Sequence, residues 1–111
     1  MVALPTPRRG DVFLVALDPS RGHEIQKPRP AVVISPDELH SLCRLVMIAP
    51  LTSGGSPFPY RVECRFKGKA GRILLDQLRS VDRTRLMRPL GRLEPQTHLR
   101  VLAVLQEMFA P

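Results

Sequence analysis

Apolar residues run without interruption from Val12 to Leu17 in "DVFLVAL", enriched in Val and Phe, immediately after Asp11. A run this short and this continuous predicts a strand buried on both faces. "AVVIS", Ala31 to Ser35, predicts its partner strand, with Pro30 at the start where a missing N–H matters least. In "SPDE", Ser35 reads as a helix N-cap, Pro36 as the first helical residue and Glu38 as the acid of a capping box, so a short helix follows the second strand. "CRLVMIAPL" predicts a third strand. After the turn-rich "TSGGSPFP", "YRVECRF" alternates: Tyr60, Val62, Cys64 and Phe66 share one face, and Arg61, Glu63 and Arg65 the other. That is the pattern of a half-exposed antiparallel strand. "KGKAG" turns the chain into "RILLD", while "QLRSVDRTR" reads as irregular with one helical turn at most. "LMRPLGRL" reads as a last strand, confined to an edge or a bulge by Pro89 and Gly91.

The period then changes. Val101, Leu102, Leu105, Met108 and Phe109 follow helical spacing, which predicts an amphipathic helix from Pro95 to about Phe109. Many short strands and one substantial helix place the fold among mainly β, β-rich α+β proteins, as a small curled antiparallel sheet with a C-terminal helix against it. At 111 residues the chain suffices for one core, so residues 1–111 are expected to form a single domain.

Charge adds a partner class. Seventeen Lys+Arg against ten Asp+Glu give +7 and a pI near 10.7, which favours a polyanion, nucleic acid above membrane. Arginine supplies most of these cations, and its planar fork suits phosphate. Cys43 and Cys64 make neither a zinc cluster nor a disulfide framework; both fall in strand-like runs and are expected as buried thiols. The paired arginines before Val12 do not make an export signal, because the apolar run ends at Asp18 without a cleavage site. No stretch approaches the ~20 apolar residues of a membrane span, and a cytoplasmic location is expected.

The sequence carries no phosphate-binding glycine loop, no HExxH, no paired cysteine ligands and no nucleophile elbow, so neither metal nor cofactor is expected. His40 and His98 fall in helical surroundings and read as surface residues. The remaining chemistry sits at strand ends. His23, Glu24, Lys27 and Arg29 lie in "SRGHEIQKPRP", between the first two strands. Thr52 and Ser53 follow the third, and Asp76 and Gln77 the fifth. In a curled sheet such ends can converge on one rim. If they do, the set matches metal-free RNA cleavage. Glu24 would take the proton from the 2′-OH, and Arg29 would grip the phosphate with the Thr52 hydroxyl as a further donor. His23 would be the most natural acid, since the unperturbed pKa of a histidine lies close to neutrality. Taken singly, each residue also reads as a solvated or turn side chain.

The residues that carry this chemistry also carry a resemblance. "RGDVFLVALDPSRGHEIQKPRPAVVIS" is similar to the opening of the MazF/PemK toxins of bacterial toxin–antitoxin pairs. "IAPLTSGG" and "ILLDQLRSVDRTRL" follow in the family's order, over nearly the whole chain from Arg9. The resemblance implies an SH3-like, strongly curved barrel and a homodimer. It implies sequence-specific, metal-independent cleavage of single-stranded RNA to 2′,3′-cyclic phosphate and 5′-OH ends, and an acidic MazE-like antitoxin as partner. It assigns catalysis to Glu24 and Arg29, with Thr52 and His23 assisting. Arg21, Lys27, Ser53, Asp76, Gln77 and Arg79 are left to hold RNA. In the PemK-like branch an arginine stands two residues before the aspartate, where this chain has Leu74; Arg72 is the nearest substitute. The competing reading is a non-catalytic toxin of the same fold that binds RNA or poisons a protein such as DNA gyrase.

Overall fold

A computed structural model describes residues 6–17, 27–54 and 56–111. Seven antiparallel strands form one curled sheet: β1 (Asp11–Val15), β2 (Arg29–Val33), β3 (Leu45–Thr52), β4 (Arg61–Phe66), β5 (Lys69–Leu74), β6 (Arg79–Asp82) and β7 (Leu86–Arg92). The helices are α1 (Asp37–His40) and α2 (Pro95–Met108), and single 3-10 turns precede and follow β6. Strand order is β4-β5-β3-β2-β1-β7, with β6 also paired to β3. The sheet curls without closing, because β4 and β7 remain its two ends. These edges come near each other where the Phe66 ring lies against Gly91.

The continuous apolar runs of β1, β2 and β3 do bury both faces. Val12, Val32, Ala49 and Leu51 point into one core, which Val101 of α2 closes. Phe13, Val15, Ala31, Val33, Val46 and Ile48 point into the other, closed by Val81 of β6 and Leu86 of β7. Strand alternation therefore divides one apolar run between two cores. Arrival of Val81 there explains why "RSVD" is a strand and not irregular chain: Val81 pairs with Val46 of β3. Pro89 sits on edge strand β7, opposite Phe13, next to a break in register.

Four local expectations fail. β2 starts at Arg29, two residues early, so Pro30 lies inside it opposite Leu14, beyond the last residue paired to β3. The N-cap of α1 is Pro36 and makes no side-chain cap bond. Ser35 is instead buried, and its Oγ meets His40 Nε2 at 2.6 Å and accepts the Met47 N–H at 3.0 Å. His40 is accordingly a core residue, its Nδ1 donating to the Pro7 carbonyl at 2.7 Å. Burial obliges these polar groups to pair with one another. Cys43 precedes β3 and is exposed, and Cys64 in β4 is half-buried, so neither is the fully buried thiol expected.

The β4–β5 turn is tighter than "KGKAG" suggested. Phe66 pairs with Lys69. The two loop residues, Lys67 (φ 51) and Gly68 (φ 79), both adopt the left-handed region. That is the geometry of a type I′ hairpin turn, whose twist matches that of the strands.

Candidate functional site

The β2 start, the β3 end and the β4–β5 hairpin enclose a cavity of about 310 Å³. Arg29, Thr52 and Ser53 all line it, together with Lys69 and Gly71. Arg29 is the first residue of β2, opposite Val15, and lies between Pro28 and Pro30. A residue before proline is restricted to extended backbone, so this arginine starts from a fixed direction. Thr52 is the last residue of β3, opposite Arg72. Its Oγ1 accepts the Gly54 N–H at 3.3 Å, which leaves the hydroxyl proton available to donate.

Gly71 sets how closely β5 approaches here. A Cβ at that position would stand 2.5 Å from the Thr52 carbonyl oxygen, so only glycine lets the strands meet at this depth. Two cations, Arg29 and Lys69, and no carboxylate occur among the described lining residues. The Cys64 thiol also lines the cavity, and burial pushes its pKa up. It is neutral near pH 7 and a poor nucleophile. The arrangement suits a phosphodiester: a fork of donors, a point charge and a hydroxyl on one apolar-floored cleft.

Other predicted residues fall elsewhere. Lys27 is exposed, two residues before Arg29. Arg21, His23 and Glu24 lie outside the described residues. Asp76 and Gln77 occupy the 3-10 turn after β5 and do not line the cavity, and neither does Arg79 of β6, opposite Ile48. Asp76 accepts two hydrogen bonds from Arg61, Nε at 3.1 Å and Nη2 at 3.2 Å, and this guanidinium holds its carboxyl below the usual range.

Arg61 is the residue that sequence reasoning missed. It faces Leu74 across the β4–β5 ladder, so the neighbouring strand delivers the guanidinium that position 74 lacks. Arg72, the expected substitute, instead lies 3.8 Å from Glu63. The hairpin register was the available signal, since a two-residue turn at Lys67–Gly68 already places residue 61 opposite residue 74.

A second cavity of about 350 Å³ lies among Arg8, Arg9, Asp37, Glu38, Arg92 and His98. The backbone N–H of Arg9 donates to Asp37 at 2.7 Å, Arg8 lies 4.0 Å from the same carboxylate, and Arg92 pairs with Asp11. His98 Nε2 is buried without a partner; burial first, and then Arg92, push its pKa down. Among the described residues no group of three or more His, Cys, Asp or Glu could hold a metal ion, and no helix is long and apolar enough to cross a membrane.

Comparison with known proteins agrees with this architecture. Residues 8–109 match the family of the PemK-like, MazF-like toxin of type II toxin–antitoxin systems. The chain is 31% identical over 102 residues to endoribonuclease MazF9 of Mycobacterium tuberculosis, covering 77% of this chain and 80% of that one. Similarity to endoribonuclease PemK of Escherichia coli is higher but local, 44% over 48 residues, 43% of this chain and 36% of that one. A crystal structure of MazE–MazF from Deinococcus radiodurans superposes with a TM-score of 0.80 at 28% identity, covering 94% of this chain and 96% of that one. Sequence blocks, sheet order and superposition thus converge, and the chain belongs to the PemK-like, MazF-like toxin family of type II toxin–antitoxin systems.

Proposed function

We propose that this type II toxin–antitoxin endoribonuclease cuts single-stranded RNA at the cavity of Arg29 and Thr52. One observation carries the reading. A guanidinium from the start of β2 and a hydroxyl from the end of β3, far apart in sequence, line a single cationic cleft. Cleavage proceeds by attack of a 2′-OH on its adjacent phosphorus. Glu24 takes the hydroxyl proton as general base. Arg29 and the Thr52 hydroxyl donate to the non-bridging oxygens as charge builds on them. A guanidinium keeps its proton throughout the biological pH range and makes a poor acid. His23 therefore protonates the departing 5′-oxygen. The products are a 2′,3′-cyclic phosphate and a 5′-OH, reached without a metal ion.

Lys27, Ser53, Arg21 and, farther along the chain, Gln77 and Arg79 hold the flanking RNA by charge and hydrogen bonding. Asp76, committed to Arg61, acts on loop structure and not on the proton transfers. An antitoxin is the natural protein partner, as in the MazE–MazF assemblies that share this fold. A net charge of +7 favours an acidic one. Two copies of the chain form the working toxin in the cytoplasm, where its RNA is found.

The test is cleavage of a mixed single-stranded RNA in excess chelator, with the ends of the fragments sequenced. Wild-type protein cuts at defined sites, and Glu24→Ala and Arg29→Ala each lose at least about 100-fold in rate while circular dichroism stays unchanged. Full activity in both variants would overturn the assignment. A wild-type protein that binds RNA and never cuts it would instead favour the non-catalytic toxin.

A further inference from the structure

The segment that leaves the cavity at Ser53 goes on to present two exposed aromatic rings, Phe58 at 54% and Tyr60 at 39% exposure. Tyr60 is the chain's single tyrosine. Two exposed rings on one short segment offer stacking surface to a partner, and here the backbone beneath them is fixed. The Arg61 N–H donates to the Phe58 carbonyl at 3.2 Å, and the Leu75 N–H to the Tyr60 carbonyl at 3.1 Å. Tyr60 itself is held at φ 69, a conformation that a bulky residue keeps only under such constraint.

Arg61 organises the rest. Its guanidinium lies 4.3 Å from the centroid of the Phe58 ring, and its Nη1 donates to the Ser56 carbonyl at 3.4 Å. Asp76 fixes the same guanidinium through two hydrogen bonds, and the side chain is only 12% exposed. The charge of Arg61 is thus engaged by Asp76 and is not left over for phosphate. What this arrangement supplies is an aromatic ring held by a rigid cation, with much of its surface open, on the chain segment that follows Ser53 of the cationic cleft.

We infer that Phe58, held by Arg61, is a stacking platform for a nucleobase of the single strand whose phosphodiester lies at Arg29 and Thr52. Stacking tolerates every base because every base has a π-face, and it needs a ring already oriented when the strand arrives. In this arrangement Arg61 is a positioning residue: it touches no RNA and determines where the ring stands. The inference rests on the endoribonuclease reading for the identity of the polymer.

The chain contains no tryptophan, so Phe58→Trp installs a unique fluorophore at the platform. The probe is a short mixed-sequence 2′-O-methyl RNA, which has no attacking hydroxyl and survives the measurement. Saturable quenching of Trp fluorescence by this RNA is expected. Phe58→Ala should bind it about tenfold more weakly by anisotropy and cut ordinary RNA at unchanged sites with kcat/KM lowered by about the same factor. Wild-type affinity together with wild-type kcat/KM in Phe58→Ala overturns the platform and leaves the cleavage reading standing. A wild-type protein that cuts nothing, but whose Phe58 variants still quench and weaken as stated, overturns cleavage and keeps the platform. Loss of antitoxin binding alone in Phe58→Ala would make the ring a protein contact and also refute the inference.

Discussion

Ser35 and His40 show how much one buried polar pair can hold together. The Ser35 hydroxyl meets His40 Nε2 and takes the Met47 N–H, and His40 reaches the Pro7 carbonyl with its other nitrogen. Three segments distant in sequence are thereby tied by groups that have no water to fall back on. Ser35→Ala should cost about 2–3 kcal/mol, read as a lower urea midpoint at unchanged slope, because it strands a buried donor and a ring nitrogen. His98 makes a prediction about pH. Burial and the neighbouring Arg92 lower its pKa in the folded chain. The unfolded chain gains a proton near pH 6.5, before the folded one does, so acidification through and below that window favours unfolding. Thermal melts at pH 7 and pH 5 should therefore differ less for His98→Gln than for wild type.

At the level of elements, the β4–β5 hairpin sets the register on which both the cavity and the platform depend. Its two-residue turn fixes Arg61 opposite Leu74 and Gly71 opposite Cys64. A slip of one residue would reverse every side chain of β5 and remove glycine from the close approach to Thr52. Lys67 pays a steric penalty at φ 51 that asparagine largely avoids. Lys67→Asn should stabilise the fold by about 0.5–1 kcal/mol, checked by chemical denaturation, and leave RNA cleavage untouched.

Over the whole molecule, both faces of the central sheet are consumed by core, yet apolar surface is left over around α1. Leu39, Leu42 and Leu45 are 39%, 79% and 53% exposed. Leu99 on α2 and Phe109 just after it remain outside the packed face, at 68% and 70%. A second copy of the chain is the occupant proposed for the α1 side, which is the homodimer proposed above. Light scattering at micromolar concentration should give twice the chain mass for wild type and the single mass for Leu42→Asp. A monomeric wild type would refute this.

The order of residues is enough to establish the strands buried on both faces, because these apolar runs are too short for a buried helix, rich in β-branched residues and bounded by turn residues. It is enough for the C-terminal helix too, because period and length agree over Pro95–Met108. It also specifies the hairpin alternation and the edge position of β7, where Pro89 excludes a central strand. The two faces of Tyr60 to Phe66 are legible from their alternation alone. Arg29, Thr52 and Ser53 stand out in the sequence as residues at strand ends. That they share one cleft is decided by folding, since it depends on how far the sheet curls and on glycine at position 71. Likewise "RSVD" carries too weak a local signal to be read as a strand; it becomes one because β3 offers an unpaired edge and the second core takes Val81. The burial of His40 and Ser35 escapes the sequence for a related reason: a polar side chain is buried only with partners such as the Pro7 carbonyl, which adjacent residues do not reveal. The partner of Asp76 escapes it because it comes from the neighbouring strand. Local preference is written residue by residue, whereas pairing across strands is settled by the packing of the whole.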